Sequence, residues 1–308
     1  MKATGEQIRM QIDANGIRLE VELHGPGSGA PIILIRGLGT QLVHWPAALT
    51  EGLAARGFRV VIFDNRDVGL SQRCPAPGVP SSADEILEAL RRGVPLRPAY
   101  TLNDMARDVV GLMDALDIPR AHVFGISMGG AIAQILALDH GARLLTATFV
   151  MTACGPFSAI SGSEPESTAE LTSRLLSRPQ GLADYVASQI AESALWGSPG
   201  FPATDEELRE MAACAHARGV DAQGINRQFL AVASQHGRCE ALRRLALPCL
   251  VIHGTHDALI PPDKGRELAD IIPGGEYKQI DGMGHMITTA LAPLIVETVS
   301  DFVARRAG

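Results

Sequence analysis

Ala121-His-Val-Phe-Gly-Ile-Ser127-Met-Gly-Gly130 decides the reading of this chain, because three kinds of local structure meet in ten residues. Ala121 to Ile126 is a short, largely apolar run of the kind that forms a buried strand, and Met128 to Leu138 is a helical pattern that closes before Gly141. Between them stands a serine fenced by glycines. A Gly-x-Ser-x-Gly sequence between a strand and a helix is a nucleophile elbow, a turn too tight for side chains beside the serine. The first turn of the following helix presents unpaired N–H groups and the positive end of its dipole to whatever the serine attacks. Ser127 is therefore the candidate nucleophile.

Working outward, Pro31 to Arg36, Phe58 to Asp64, Leu145 to Met151 and Leu247 to His253 share the same apolar character. Strands apolar on both faces belong to a parallel sheet covered by helices. Gln7 to Asp13 and Ile17 to Leu23 alternate instead and flank Asn15-Gly16, which predicts an opening antiparallel hairpin. Helical patterns lie between the strands, one of them opened by Thr101-x-x-Asp104 and running through Leu116. Strand and helix alternate, so the fold class is α/β, a mostly parallel central sheet flanked by helices. The alternation stops after Thr152. Four helical patterns follow without a convincing strand: Ser167 to Leu176, Leu182 to Glu192, a run opened by Thr204-x-x-Glu207, and Asp221 to Gln235. The expected organisation is a core of residues 1–154 and 246–308, with a helical cap over 155–245 above the carboxyl edge of the sheet. A small helix opened by Ser82-x-x-Glu85 and stopped at Gly93 could join it.

A serine hydroxyl needs a base to take its proton and a third group to orient that base. His285, in Asp281-Gly-Met-Gly-His285-Met286, follows the short strand Glu276 to Ile280, and Asp257, in His253-Gly-Thr-His-Asp257, follows the last long apolar strand. Loops at the carboxyl ends of parallel strands meet at one rim, so Ser127, Asp257 and His285 can converge there as a catalytic triad. Duller readings exist for the competitors. His256 is a surface or supporting residue, Asp64 holds a turn, His122 sits within a strand, His140 ends a helix, and His253 is loop scaffolding. The oxyanion of an acyl-transfer intermediate needs backbone donors, which Met128 and Leu38, in Arg36-Gly37-Leu38-Gly39, are placed to supply. Gly37 and Gly39 do not make a phosphate loop, since neither a Gly-x-Gly-x-x-Gly match nor a Walker lysine follows. The histidines lack metal-ligand spacing, and no metal is expected.

The composition, 46% hydrophobic and 20% charged in 308 residues, is that of a globular chain large enough to build its own core. A net charge of -7 leaves no cationic surplus for nucleic acid or an anionic membrane, and no apolar stretch is long enough to span a bilayer. Five scattered cysteines without a Cys-x-x-Cys pair argue against a disulfide framework and a zinc site, and suit a reducing compartment. Without a signal-peptide core at the start, the expected location is cytoplasmic, as a monomer or homodimer. Phe157, Trp196, Phe201 and Phe229 from the cap, with Met286 beside His285, are candidates for an apolar substrate pocket.

Taken together, Gly125 to Gly130, Asp257, His285, Leu34-Ile-Arg-Gly-Leu-Gly-Thr-Gln41 and Phe63-Asp-Asn-Arg-Asp-Val-Gly-Leu-Ser71 resemble the α/β-hydrolase superfamily over the whole chain. The last two stretches resemble its carboxylesterase branch that includes aclacinomycin methylesterase. The resemblance implies an ester hydrolase with a helical cap and no cofactor, acting on a small-molecule ester. Arg36-Gly37 stands where many relatives carry His-Gly, and Arg36 is expected to brace the loop instead. Ser127-Met-Gly-Gly130 also resembles cofactor-free haloperoxidases and perhydrolases, which would use the same triad. A non-catalytic receptor on the same fold would be expected to have lost a triad member, and none is lost here.

Overall fold

Strands that are apolar at every position are stable only where both faces are covered. The computed structural model, which describes residues 8–92, 94, 97–157, 176, 179 and 181–306, gathers them into one eight-stranded sheet. In chain order the strands are β1 (Ile8–Ala14), β2 (Ile17–His24), β3 (Ala30–Ile35), β4 (Phe58–Phe63), β5 (Ala121–Ile126), β6 (Leu144–Val150), β7 (Cys249–Gly254) and β8 (Glu276–Ile280). Across the sheet they run β1-β2-β4-β3-β5-β6-β7-β8. β1 and β2 form the expected hairpin, and Asn15 and Gly16 both take the positive φ, 50° and 77°, that a tight hairpin turn demands. β2 pairs antiparallel with β4, and every later pairing is parallel.

The helices are α1 (Ala47–Ala55), α2 (Ala83–Arg91), α3 (Leu102–Ala115), α4 (Met128–Asp139), α5 (Leu182–Trp196), α6 (Asp205–Ala217), α7 (Ala222–Ala233), α8 (Cys239–Leu242), α9 (Pro262–Ile271) and α10 (Ala292–Ala304). Alternate strand residues feed opposite layers. Ile33 and Ile35 of β3 pack with α3 and α4, whereas Ile32 and Leu34 pack with α1 and α10. α3 and α6 begin at the anticipated capping boxes, Thr101 with Asp104 and Thr204 with Glu207. Between β6 and β7 the described residues contain helices and no strand. The helix expected over Ser167 to Leu176 lies outside the described residues apart from Leu176.

The cysteine expectation needs correcting. Cys154 and Cys239, 85 residues apart, are joined by a disulfide, while Cys74, Cys214 and Cys249 are free. The fold returns the chain from α7 to the end of β6 and brings the two Cα atoms to 5.0 Å, a proximity that sequence spacing cannot express. No described helix is long and apolar enough to cross a membrane.

Candidate active site

Ser127 sits at the carboxyl end of β5, in the middle of the sheet, with φ 53° and ψ -121°. That backbone geometry is costly for a residue with a Cβ, and the surroundings enforce it. The Ser127 N–H donates to Val150 O at 3.0 Å, and its carbonyl accepts from Thr152 Oγ1 at 2.9 Å and from the amide of Ala131 at 3.1 Å. A Cβ on Gly129 would lie 2.1 Å from Ile35 O, so only glycine lets α4 begin this close to β3.

Asp257 and His285 arrive from the loops after β7 and β8. The Asp257 side chain is sealed from solvent, and its Oδ2 lies 2.8 Å from His285 Nδ1. Its Oδ1 accepts from the amides of Leu259 at 3.0 Å and Ile260 at 2.9 Å. Burial alone would raise the Asp257 pKa; the facing His285 charge, hydrogen bonds from His253 and His285, and the Ile260 amide overcome it and hold the group well below the usual carboxylate range. With Nδ1 committed to Asp257, Nε2 of His285 is buried and has no hydrogen-bond partner among the described residues. The His285 N–H donates to Trp196 O at 2.7 Å, so the end of α5 fixes the histidine loop.

Ser127 and His285 line one cavity of about 480 Å³. The turn after β3 enters beside them, where a Cβ on Gly37 would lie 3.2 Å from Ser127 Cβ. Leu38 and Met128 line the cavity, and their amides take no part in the loop and turn hydrogen bonds. Of the five pocket candidates, Phe157, Trp196 and Met286 line the cavity and two do not. Phe229 is fully buried, edge-on to Phe157 with ring centroids 5.4 Å apart, and Phe201 packs onto the core layer of α1 and α10. Both are packing residues because their helix and loop turn them toward the protein rather than toward the cavity.

The competing residues are spent elsewhere. Asp64 accepts from the amides of Leu42 at 2.7 Å and Leu70 at 2.9 Å and from Arg218 Nη2 at 2.5 Å. His256 is exposed, with Nδ1 2.8 Å from Thr255 Oγ1. His122 is buried within β5 beside Thr146. His253, expected as loop scaffolding, is instead buried in β7, with Nε2 3.3 Å from Asp257 Oδ2 and 3.0 Å from Ile260 O, which makes it a neighbour of the acid. Arg36 does brace its loop, donating from Nε to Thr40 Oγ1 at 3.1 Å and from Nη1 to His44 O at 3.3 Å.

The sequence reading missed Gln228. It is fully buried in α7, accepts from the Gly39 amide at 2.9 Å and donates to Arg66 O at 2.7 Å, tying α7 to the turn that carries Leu38. Beside it, Arg227 forms a two-pronged pair with Asp67 at 2.6 and 3.0 Å. The available signal was Asn226-Arg227-Gln228, three polar residues in a row between Ile225 and Phe229. Among the described residues, one group of three ligand atoms lies close enough to hold a cation, Cys154, Cys239 and Glu267, and its two sulfurs are bonded to each other.

Comparison with known proteins agrees with the fold. The family model described as the alpha/beta hydrolase fold matches residues 30–288. The chain is 30% identical to rhodomycin D methylesterase DauP of Streptomyces sp. (strain C5), over 88% of this chain and 91% of the relative. A candidate non-heme bromoperoxidase, BpoC of Mycobacterium tuberculosis (strain H37Rv), is 28% identical over 84% of this chain and 88% of its own. Among solved structures, the enol-lactonase from Burkholderia xenovorans LB400 superposes with a TM-score of 0.73 at 27% identity, covering 96% of this chain and 100% of the neighbour.

Proposed function

The chain belongs to the alpha/beta hydrolase fold family, and from that premise we propose that it is a serine hydrolase cleaving carboxylic esters of small to medium apolar substrates through an acyl-enzyme on Ser127. The observation that carries this reading is the pairing of His285 Nδ1 with buried Asp257 while Nε2 is left without a partner on the cavity that also holds Ser127. Methylesterase and enol-lactonase relatives support ester chemistry.

In this mechanism Asp257 fixes the imidazole with its proton on Nδ1, so Nε2 accepts the Ser127 proton as Oγ attacks the ester carbonyl. The amides of Leu38 and Met128 hold the oxyanion, each worth about 3 to 4 kcal/mol of barrier. His285 then protonates the departing alcohol and activates water to release the acid. Ser127 and His285 form no hydrogen bond in the structure, and in hydrolases without substrate that contact is commonly long and tightens on binding. The helices between β6 and β7 act as the cap, with Phe157 and Trp196 on the wall above the serine.

A fluorophosphonate probe should label the intact protein at Ser127, and Ser127→Ala should abolish both labelling and p-nitrophenyl ester hydrolysis. An intact, folded protein that resists the probe would overturn the proposal. The likeness to BpoC favours a second reading, peroxide in place of water at the acyl-enzyme, which a peroxide-dependent halogenation assay separates from hydrolysis.

A further inference from the structure

Four other largely enclosed arginines have their charge or their donors answered within the protein. Arg66 pairs with Asp108, Arg218 with Asp64, and Arg227 with Asp67. Arg238 has no carboxylate but spends its guanidinium on Gln134 Oε1, Gln235 Oε1 and Ala153 O. Arg36 differs from all of them. Only 8% exposed, it forms no ion pair with any described carboxylate, and its guanidinium carbon stands 4.5 Å from the centre of the Trp45 ring. Nε and Nη1 are used on Thr40 and His44, whereas Nη2 donates to no described residue. Nor is Nη2 among the buried polar atoms sealed off without a partner, so it meets accessible space. Arg36 lines the same cavity as Ser127, together with Gly37, Thr40, His44 and Trp45.

Taking a guanidinium out of water without a counter-charge is unfavourable, and here desolvation lowers its pKa to about 9, which leaves it a cation at neutral pH. A planar guanidinium stacked on an aromatic ring, two of its nitrogens pinned and the third open, is preorganised to receive an anionic oxygen. Among the described residues, the other Asp, Glu, Lys or Arg side chains on the cavity wall are Glu192, Glu207 and Glu210 of α5 and α6. All three are acidic, which leaves Arg36 as the cationic station for a substrate anion among these described side chains.

We propose that Arg36 is a carboxylate-binding group of the substrate cavity, and that the preferred esters carry a second, free carboxylate. This rests on the ester-hydrolase reading of Ser127 and narrows its substrate class to otherwise apolar esters that bear one carboxylate. The test compares monomethyl succinate, glutarate and adipate, each against the neutral methyl ester of equal chain length. For at least one length the intact enzyme should prefer the acid ester by about tenfold to a hundredfold in kcat/KM, the range expected of a charge-assisted hydrogen bond. Arg36→Met should bring that ratio to about one, and Arg36→Lys should keep part of it. Equal or better use of the neutral esters at all three lengths overturns the proposal, as does a folded Arg36→Met protein that keeps the preference. A binding arm separates this inference from the catalytic one. Glutarate should raise the Tm of Ser127→Ala protein, which cannot form an acyl-enzyme, and should not raise that of the Ser127→Ala, Arg36→Met double variant. Glutarate stabilisation in a protein that hydrolyses no ester would leave the anion site standing and remove the esterase reading; no stabilisation, with no acid-ester preference, removes the site.

Discussion

Asp257 spends both carboxylate oxygens, one on His285 Nδ1 and the other on the amides of Leu259 and Ile260. Asn at this position keeps one acceptor oxygen but places an N–H₂ where the second acceptor was, so the imidazole loses the partner that selects its tautomer. Asp257→Asn should lower kcat by about 10⁴-fold while the protein stays folded, read by steady-state kinetics beside circular dichroism. An undiminished kcat would mean that another acid orients the base. The placement of Ser127, Asp257 and His285 at one rim was legible in the sequence because glycine spacing and strand ends fix where they stand. The pocket aromatics were less so. Trp196 and Phe157 line the cavity, yet Phe229, in the same inserted segment and of the same chemistry, faces inward against Phe157, because facing depends on how helices pack and not on residue type.

Elements were the most readable level. β5 and β8 fall on the predicted residues, and α3 and α6 start at the predicted capping boxes; for β5 and the two helices the reason is that burial on both strand faces and N-terminal hydrogen bonding leave direct marks in sequence. The connection between elements left no such mark. Gln228 links α7 to the turn after β3 and to the loop after β4 through contacts 189 and 162 residues away in sequence. Leu at 228 leaves the Gly39 amide and the Arg66 carbonyl without partners. Gln228→Leu should therefore cost about 2 to 3 kcal/mol in urea unfolding. On the proposed mechanism, kcat should also fall about tenfold with KM nearly unchanged, since the turn bearing the Leu38 amide loosens. Loss of stability with an intact kcat would assign Gln228 to packing alone.

For the whole molecule, His122 is one source of acid sensitivity. Burial in β5, and secondarily the charge of Arg120, lowers its pKa to about 4. The unfolded chain binds this proton near pH 6.5, so between 6.5 and 4 unfolding takes up a proton that the native state refuses. Stability should decline as pH falls through that window, by about 1.4 kcal/mol per unit at most, and His122→Asn should flatten the slope; parallel slopes in urea titrations at pH 7 and 4.5 would assign the loss to other groups. The sheet order and its helical layers follow from the alternation of segments, but the pairing of five scattered cysteines does not, because it depends on where the chain returns in space. Cys154 lies at the end of β6 and Cys239 opens α8, so the bridge closes a ring around the helices between them. A protease that cut this ring once would not release anything: the two fragments would travel as one species until a thiol was added, and the sheet would keep its last strands through a covalent tether that the peptide backbone no longer supplied.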